Sequence, residues 1–454
     1  MTFQTINPAT EDVVSNYSYF SDQTIDEKIE RAYSAFNDWK TTSFDKKKHL
    51  LHTLARLLED QKEQLGHLIT IEMGKPLKQS VAEIEKCAWV CDYYAENGLN
   101  FLQNEQIKTE ARLSYIHYAP LGPVLAIMPW NFPFWQVFRF AAPSLMAGNV
   151  ALLKHSPNTT GCALAIEKLF KEAGFPEGAF TTLLADIPQI EPILANPKVK
   201  ALTLTGSTKA GQSASQLAAK YLKKCVLELG GSDPYLILDD ADLEKAAEIC
   251  LSGRMLNTGQ SCIAAKRFIV TKKRAVQFTE LVAEKVKSYT YGDPEENHPL
   301  GTMARKDLRE SLHRQVSESI AKGAKCLTGG QIPSGKGYFY PATLLTEVSK
   351  GMPAYDQELF GPVGAIITAT DESDAVRIAN DTSFGLGAAI ITNDTDKAAH
   401  LAEQHLEFGA VFINDFVKSD PRLPFGGVKS SGYGRELSLL GIHEFVNAKT
   451  IYIK

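Results

Sequence analysis

Cys262 lies in Thr258-Gly259-Gln260-Ser261-Cys262-Ile263-Ala264-Ala265, where no bulky side chain flanks the sulfur closely. Gly259 permits tight backbone conformations, and Gln260 and Ser261 bring hydrogen-bonding groups. By contrast Cys225, in Lys-Cys-Val-Leu, has the aliphatic neighbours of a structural cysteine. Cys262 reads either as an accessible nucleophile or as a small core residue, the commonest state of a free cysteine. Glu228 stands in the apolar run Val226-Leu227-Glu228-Leu229-Gly230-Gly231. Apolar surroundings raise a carboxyl pKa and suit it to general-base work; the alternative is a strand-end glutamate in a salt bridge. Asn131, within Pro129-Trp130-Asn131-Phe132-Pro133, is an amide in a rigid aromatic loop. It has the donors to hold a developing oxyanion, or to cap the helix that follows.

Two further stretches suit anions. Leu204-Thr205-Gly206-Ser207-Thr208 follows a strand and opens a helix, whose free N–H groups attract phosphate. It is neither Gly-x-Gly-x-x-Gly nor a Walker loop, so an ordinary strand-to-helix turn stays open. Lys154-His155-Ser156-Pro157 also ends a strand. Lys154 is placed for ribose hydroxyls or a phosphate, or is simply solvated. His155 has no Ser or Asp partner nearby and reads as structural or as a loop residue.

The elements that must position these residues follow from periodicity. Ile25, Ile29, Ala32, Phe36 and Trp39 recur at helical spacing, and further helices are predicted near 50–58, 64–72 and 77–103. From residue 112 onward, buried strands alternate with helices, at 124–128, 150–154, 180–184 and 199–205, and again from 235 to 404. That rhythm predicts an α/β fold with mostly parallel sheets. Ligands in such sheets sit at the carboxyl ends of the strands. The final residues, 449–454, read as a strand that invites pairing across subunits.

Length and composition bound the rest. A chain of 454 residues holds two or three domains of roughly 150 residues each. A net charge of -5 argues against a nucleic-acid partner. Seven cysteines, odd in number and widely spaced, fit a reducing compartment rather than a disulfide framework. Cys87 and Cys91 share a helix face, but no second pair completes a zinc site, so no metal is expected. No signal-peptide pattern and no apolar run of membrane-spanning length appear, so a cytoplasmic protein is expected.

The ordered set Pro-Trp-Asn-Phe-Pro, Thr-Gly-Ser-Thr, Glu-Leu-Gly-Gly, Gly-Gln-Ser-Cys, Glu358-Leu359-Phe360-Gly361-Pro362 and Pro424-Phe425-Gly426-Gly427 resembles the NAD(P)-dependent aldehyde dehydrogenase superfamily over nearly the whole chain. The resemblance implies a Rossmann-type cofactor domain at 1–102 and 121–229, an α/β catalytic domain at 230–428, and a small β oligomerisation element at 103–120 and 429–454. A homodimer or homotetramer follows from it.

Carried over by residue, Cys262 matches the catalytic nucleophile, Glu228 the base that activates water, and Asn131, with the Cys262 N–H, the oxyanion hole. Gly206 and Ser207 match the turn at the cofactor pyrophosphate, Lys154 the lysine at the adenosine ribose, and Glu358 the carboxylate at the nicotinamide ribose. Trp130, Gly230 and Phe360 would border the cofactor. Many NAD-specific members carry a glutamate where this chain has Pro157, preceded by Ser156. Without that carboxylate a 2′-phosphate meets no repulsion, and Lys154 can pair with it. NADP is therefore expected to be accepted beside NAD.

The closest resemblance is to the short bacterial succinate-semialdehyde dehydrogenases, through Trp-Asn-Phe-Pro-x-Trp-Gln-Val-x-Arg (130–139), Cys-Val-Leu-Glu-Leu-Gly-Gly-Ser-Asp-Pro (225–234) and Gly-Arg-Glu-Leu-Ser-x-x-Gly-x-His-Glu-Phe (434–445). It implies oxidation of a small aldehyde through a cysteine thiohemiacetal and thioester. Arg139 is expected to hold a distal carboxylate, or else to form a surface or interdomain salt bridge. Trp135 is expected to wall the tunnel and Ser419 to add a hydrogen bond. Glutarate semialdehyde or an aliphatic aldehyde is the nearest alternative substrate, and a non-catalytic binding protein on the same scaffold the more distant one.

Overall fold

The computed structural model describes residues 2–454. Two parallel sheets carry the fold. The first joins Phe180–Thr182, Val150–His155, Pro123–Met128, Ala201–Thr205 and Lys224–Glu228, all parallel, and Gly432–Tyr433 closes it antiparallel to Lys224–Glu228. The second runs Lys325–Thr328, Thr343–Thr346, Val363–Ala369, Ala265–Thr271, Asp233–Ile237, Gly387–Ile391 and Ala410–Ile413, with only the first strand antiparallel. Helices cover both faces, so strands such as Ala201–Thr205 and Asp233–Ile237 are buried at every position. Two-sided burial is why they read as continuous apolar runs rather than alternating ones.

The N-terminal helices form where periodicity predicts them. Asp22–Trp39 buries Ile25, Ile29, Ala32, Phe36 and Trp39, and Ser21 caps it by accepting from the Thr24 N–H. Leu77–Leu102 buries Ile84, Cys87, Ala88, Cys91 and Tyr94. This long helix also carries Glu83 and Lys86 toward the functional site.

Several elements escaped sequence reasoning. The helix Leu243–Met255 buries Leu243, Ala246, Ala247, Cys250, Leu251, Gly253, Arg254 and Met255, nearly all round, which blunts its amphipathic contrast. The four-residue strands Lys325–Thr328, Thr343–Thr346 and Ala410–Ile413 are too short for a period to register. The C-terminal strand, Val446–Ile453, is not unpaired: it runs antiparallel to Leu113–Pro120 of the same chain, whose other edge takes Glu105–Gln106. No helix among the described residues is long and apolar enough to cross a membrane.

Candidate active site

The loop before Cys262 is strained. Asn257 and Thr258 both take left-handed backbone, at φ 55° and 53°, followed by Gly259 at φ 69°. Such conformations cost about 1 kcal/mol or more at a non-glycine residue and persist only when their surroundings enforce them. Here Asn257 Nδ2 donates to the Asn131 carbonyl at 2.7 Å and to the Gln260 carbonyl at 3.1 Å. The Gly301 N–H donates to Thr258 Oγ1 at 3.0 Å. A side chain on Gly259 would run into the Gly361 carbonyl, so only glycine fits there. Gln260 donates to the Thr302 carbonyl at 3.0 Å and accepts from the Ala304 N–H at 2.9 Å. The sulfur is thus presented on a loop held from three directions.

Cys262 borders two cavities. Burial pushes its thiol up to about 12, opposed by the cations of Lys266 and Arg139. The fully buried Lys266 donates to the Ser261 carbonyl at 2.6 Å and to the Cys262 carbonyl, and pairs with Glu358 at 3.4 Å. One ammonium therefore ties the nucleophile's loop to a carboxylate of the neighbouring cavity.

Asn131 does not cap the next helix. Instead its Nδ2 donates to the Gln260 carbonyl at 3.0 Å. An amide carries two N–H donors, and the same side chain borders the cavity that reaches Cys262. The helix Trp135–Ala147 is capped by Glu83, which accepts from the N–H groups of Phe134 and Trp135, each at 2.9 Å.

Glu228 ends its strand fully buried and borders neither cavity. Its Oε1 faces Gly426, and neither carboxyl oxygen has a hydrogen-bond partner. Burial, then the neighbouring Glu436, raise its pKa well above the usual carboxylate range, against the pull of Arg139 and Arg435. Glu436 is also buried and raised, by burial first.

The first cavity, about 240 Å³, lies at the carboxyl ends of the first sheet. It is bordered by Trp130, Gly206, Ser207, Gly230, Glu358 and Phe360. Trp130 and Phe360 meet edge to face at 5.7 Å. Ser207 caps the helix Thr208–Lys220 by accepting from the Ala210 N–H at 3.2 Å. A Cβ on Gly206 would touch only Leu204, at 3.6 Å, so the backbone there is open to a ligand. A Cβ on Gly230 would lie 2.5 Å from Glu358 Oε2, so glycine lets that carboxylate approach. Glu358 also accepts from the Gly231 N–H at 3.0 Å.

Lys154 ends the adjacent strand half-buried, and burial lowers its pKa. Ser156 and Pro157 follow it into a short turn, with Ser156 Oγ donating to Asn158 Oδ1 at 2.6 Å. His155 is structural: burial lowers it to about 4. Its neutral ring donates from Nε2 to the Pro133 carbonyl at 2.9 Å and accepts at Nδ1 from the Ser156 N–H at 2.8 Å. A helix N-terminus for pyrophosphate, a carboxylate for ribose hydroxyls, aromatic walls and an uncommitted lysine fit a nicotinamide dinucleotide.

The second cavity, about 350 Å³, is bordered by Cys262, Phe132, Trp135, Phe416, Phe425, Lys86 and Ser419. Trp135 Nε1 donates to Ser419 Oγ at 3.0 Å. Arg139 borders this cavity but is not a free anchor. Its guanidinium is ion-paired with Glu436, lies 4.5 Å over the Phe425 ring, and reaches Thr205 Oγ1 at 3.4 Å. The salt-bridge reading of Arg139 is the one its geometry supports, because a buried carboxylate claims it first.

Comparison with known proteins converges on one assignment. The sequence model of the aldehyde dehydrogenase family matches residues 1–451. The chain belongs to that family. It is 47% identical over 454 residues to the "Probable succinate-semialdehyde dehydrogenase (NADP(+))" of Synechocystis sp., covering all of both chains. It is 46% identical to the "Succinate semialdehyde dehydrogenase (NAD(P)+) Sad" of Escherichia coli, covering 98% of this chain and 97% of that one. The crystal structure of succinic semialdehyde dehydrogenase from Streptococcus pyogenes with NADP+ superposes with a TM-score of 0.97 at 36% identity, covering 99% of each chain.

Sequence reasoning about this aldehyde dehydrogenase missed Glu436, Lys266, Asn257 and Lys86. Glu436 and Lys266 are charges in buried segments, a signal that composition does show. Lys86 follows Glu83 by three residues and precedes Val90 by four, both buried, so its position on the helix's inner edge was visible as spacing. Asn257 had no signal, since left-handed backbone is visible only in the fold.

Proposed function

We propose that the chain oxidises succinate semialdehyde to succinate, with NADP or NAD as cofactor. The observation that carries this reading is the position of Cys262, which borders both the cavity of Trp130, Gly206, Ser207, Glu358 and Phe360 and the cavity of Phe132, Trp135, Phe416 and Phe425. The names of the relatives support the choice of aldehyde. When bound, the dinucleotide supplies the hydride acceptor and, in its oxidised form, positive charge near the thiol.

Each protein group then has one task. Lys266 and Arg139 lower the cost of forming the Cys262 thiolate, which attacks the aldehyde carbonyl to give a thiohemiacetal. The second N–H of Asn131 and the Cys262 backbone N–H stabilise its oxyanion. Oxidation leaves a thioester on Cys262. Glu228 takes a proton from the water that hydrolyses it. To do so its carboxyl must turn from Gly426 toward the thioester. Lys154, with Ser156 and Pro157 in place of a carboxylate, favours acceptance of a 2′-phosphate.

The cofactor region is assigned to 1–102 and 121–229 and the catalytic region to 230–428. The three-stranded sheet, with Val446–Ile453 exposed along one edge, is the proposed contact of a homodimer or homotetramer. A matrix of aldehydes against NADP and NAD, read by absorbance of the reduced dinucleotide, tests the function. Succinate semialdehyde is expected to give the highest kcat/KM, with NADP active. A higher value for an uncharged aldehyde of the same length would refute the assignment.

A further inference from the structure

One buried cation reaches both the nucleophile's loop and a carboxylate of the cofactor cavity. Lys266 is the second residue of Ala265–Thr271, a strand buried at every position. Successive side chains of a strand point to opposite faces. Arg267 meets the carbonyls of Ser232, Ile378 and Ala379. Lys266 turns the other way, to the carbonyls of Ser261 and Cys262. Two of its three ammonium hydrogens are thereby spent on main chain. Its ion-pair partner is Glu358, at 3.4 Å. Asp233, Arg254 and Cys262 are the other charged or titratable groups around it.

The two partners differ in access. The Lys266 side chain is 1% exposed and that of Glu358 20%, and Glu358 borders the cavity while Lys266 does not. They also act on Cys262 in opposite directions: Lys266 lowers its thiol and Glu358 raises it. Hydroxyl donors at Glu358 draw on the same negative charge that offsets the ammonium, and in a buried site that charge is poorly screened. The ammonium itself stays put, because its strand and two carbonyls hold it. We infer that Lys266 is a positioning residue that couples Glu358 to the main chain of the Cys262 loop, so that ribose hydroxyls bound at Glu358 make the thiol more reactive. The nucleophile is then readied by the arrival of the hydride acceptor at a different side chain from its own.

This inference rests on the cofactor half of the proposed function and not on the choice of aldehyde. The test follows alkylation of Cys262 by iodoacetamide, read by mass on the peptide that carries it, in wild type, Lys266→Met and Glu358→Gln. Methionine keeps the unbranched stem and removes the charge. Without cofactor, Glu358→Gln should react about 3- to 10-fold faster than wild type, and Lys266→Met slower by a similar factor. The second readout is the rate with saturating NADP divided by the rate without. Shielding by the nicotinamide and its positive charge enter that ratio alike in every variant. The ratio should be about 5-fold or more larger in wild type than in Lys266→Met. A merely structural lysine would lower the Tm and slow alkylation but leave the ratio unchanged, which overturns the inference. Should Lys266→Met not fold, the partly exposed Glu358 decides: faster alkylation of cofactor-free Glu358→Gln supports the coupling, and an unchanged rate overturns it. An unchanged Kd for NADP in Glu358→Gln overturns it too, while leaving the choice of aldehyde intact. Failure of succinate semialdehyde in the substrate matrix would refute that choice and leave the coupling standing.

Discussion

Replacing Asn131 by alanine separates a catalytic hydrogen bond from a structural one. In the fold one N–H of the Asn131 amide is spent on the Gln260 carbonyl, at 3.0 Å. That carbonyl also accepts from Asn257 Nδ2 at 3.1 Å, so it keeps a partner in the variant. The stability cost is then that of one ordinary hydrogen bond, about 1 kcal/mol, with no orphaned acceptor. In a protein of this size that corresponds to a Tm decrease of no more than about 3 °C. The second N–H has no such substitute. Losing one oxyanion donor lowers the chemical step by roughly 10²- to 10³-fold. The assay is stopped-flow absorbance of the reduced dinucleotide, where the first turnover reports oxidation of the thiohemiacetal. The burst rate of Asn131→Ala should fall by that factor while alkylation of Cys262 by iodoacetamide changes little. A folded variant with a burst rate within about 3-fold of wild type would refute the assignment. An equally large fall in alkylation would show that Asn131 acts through the loop instead.

Three further outcomes follow from the same geometry. Glu228→Gln should keep the burst and lose steady-state turnover by roughly 10²- to 10⁴-fold; full steady-state activity would remove Glu228 as the base. Lys154→Ala should raise the KM for NADP by about 10-fold or more, with little change for NAD, since only the former presents a phosphate to the ammonium; equal effects on both cofactors would place Lys154 at the shared ribose alone. His155 is held neutral in the fold, near 4, against about 6.5 when unfolded. Below about 6.5 the unfolded chain binds a proton that the native one refuses, so stability falls with pH by up to about 1.4 kcal/mol per pH unit until about 4. Urea denaturation across that window should show a shallower slope for His155→Gln, and an unchanged slope would refute it.

The architecture was legible wherever one physical signal dominated. Helical spacing in Ile25, Ile29, Ala32, Phe36 and Trp39 placed Asp22–Trp39, because a helix on a sheet must bury one stripe. Continuous apolar runs placed Pro123–Met128 and Ala201–Thr205, because strands covered on both faces have no polar side. The short half-buried strand Ala410–Ile413 and the helix Leu243–Met255, buried nearly all round, carry no such contrast.

At the site, residue type left Cys262, Glu228 and Asn131 with two readings each, and the ordered set of motifs nominated them through its resemblance to the aldehyde dehydrogenases. Tertiary structure decided which charges are free. Arg139 and Lys86 are both cations on helices beside one cavity, and the sequence favoured Arg139. Folding brings Glu436, some 300 residues away in the chain, against Arg139 and leaves Lys86 with only Ser419 and Trp135. Which cation stays free depends on which carboxylates have already claimed a partner, and such pairings form only when distant segments pack together.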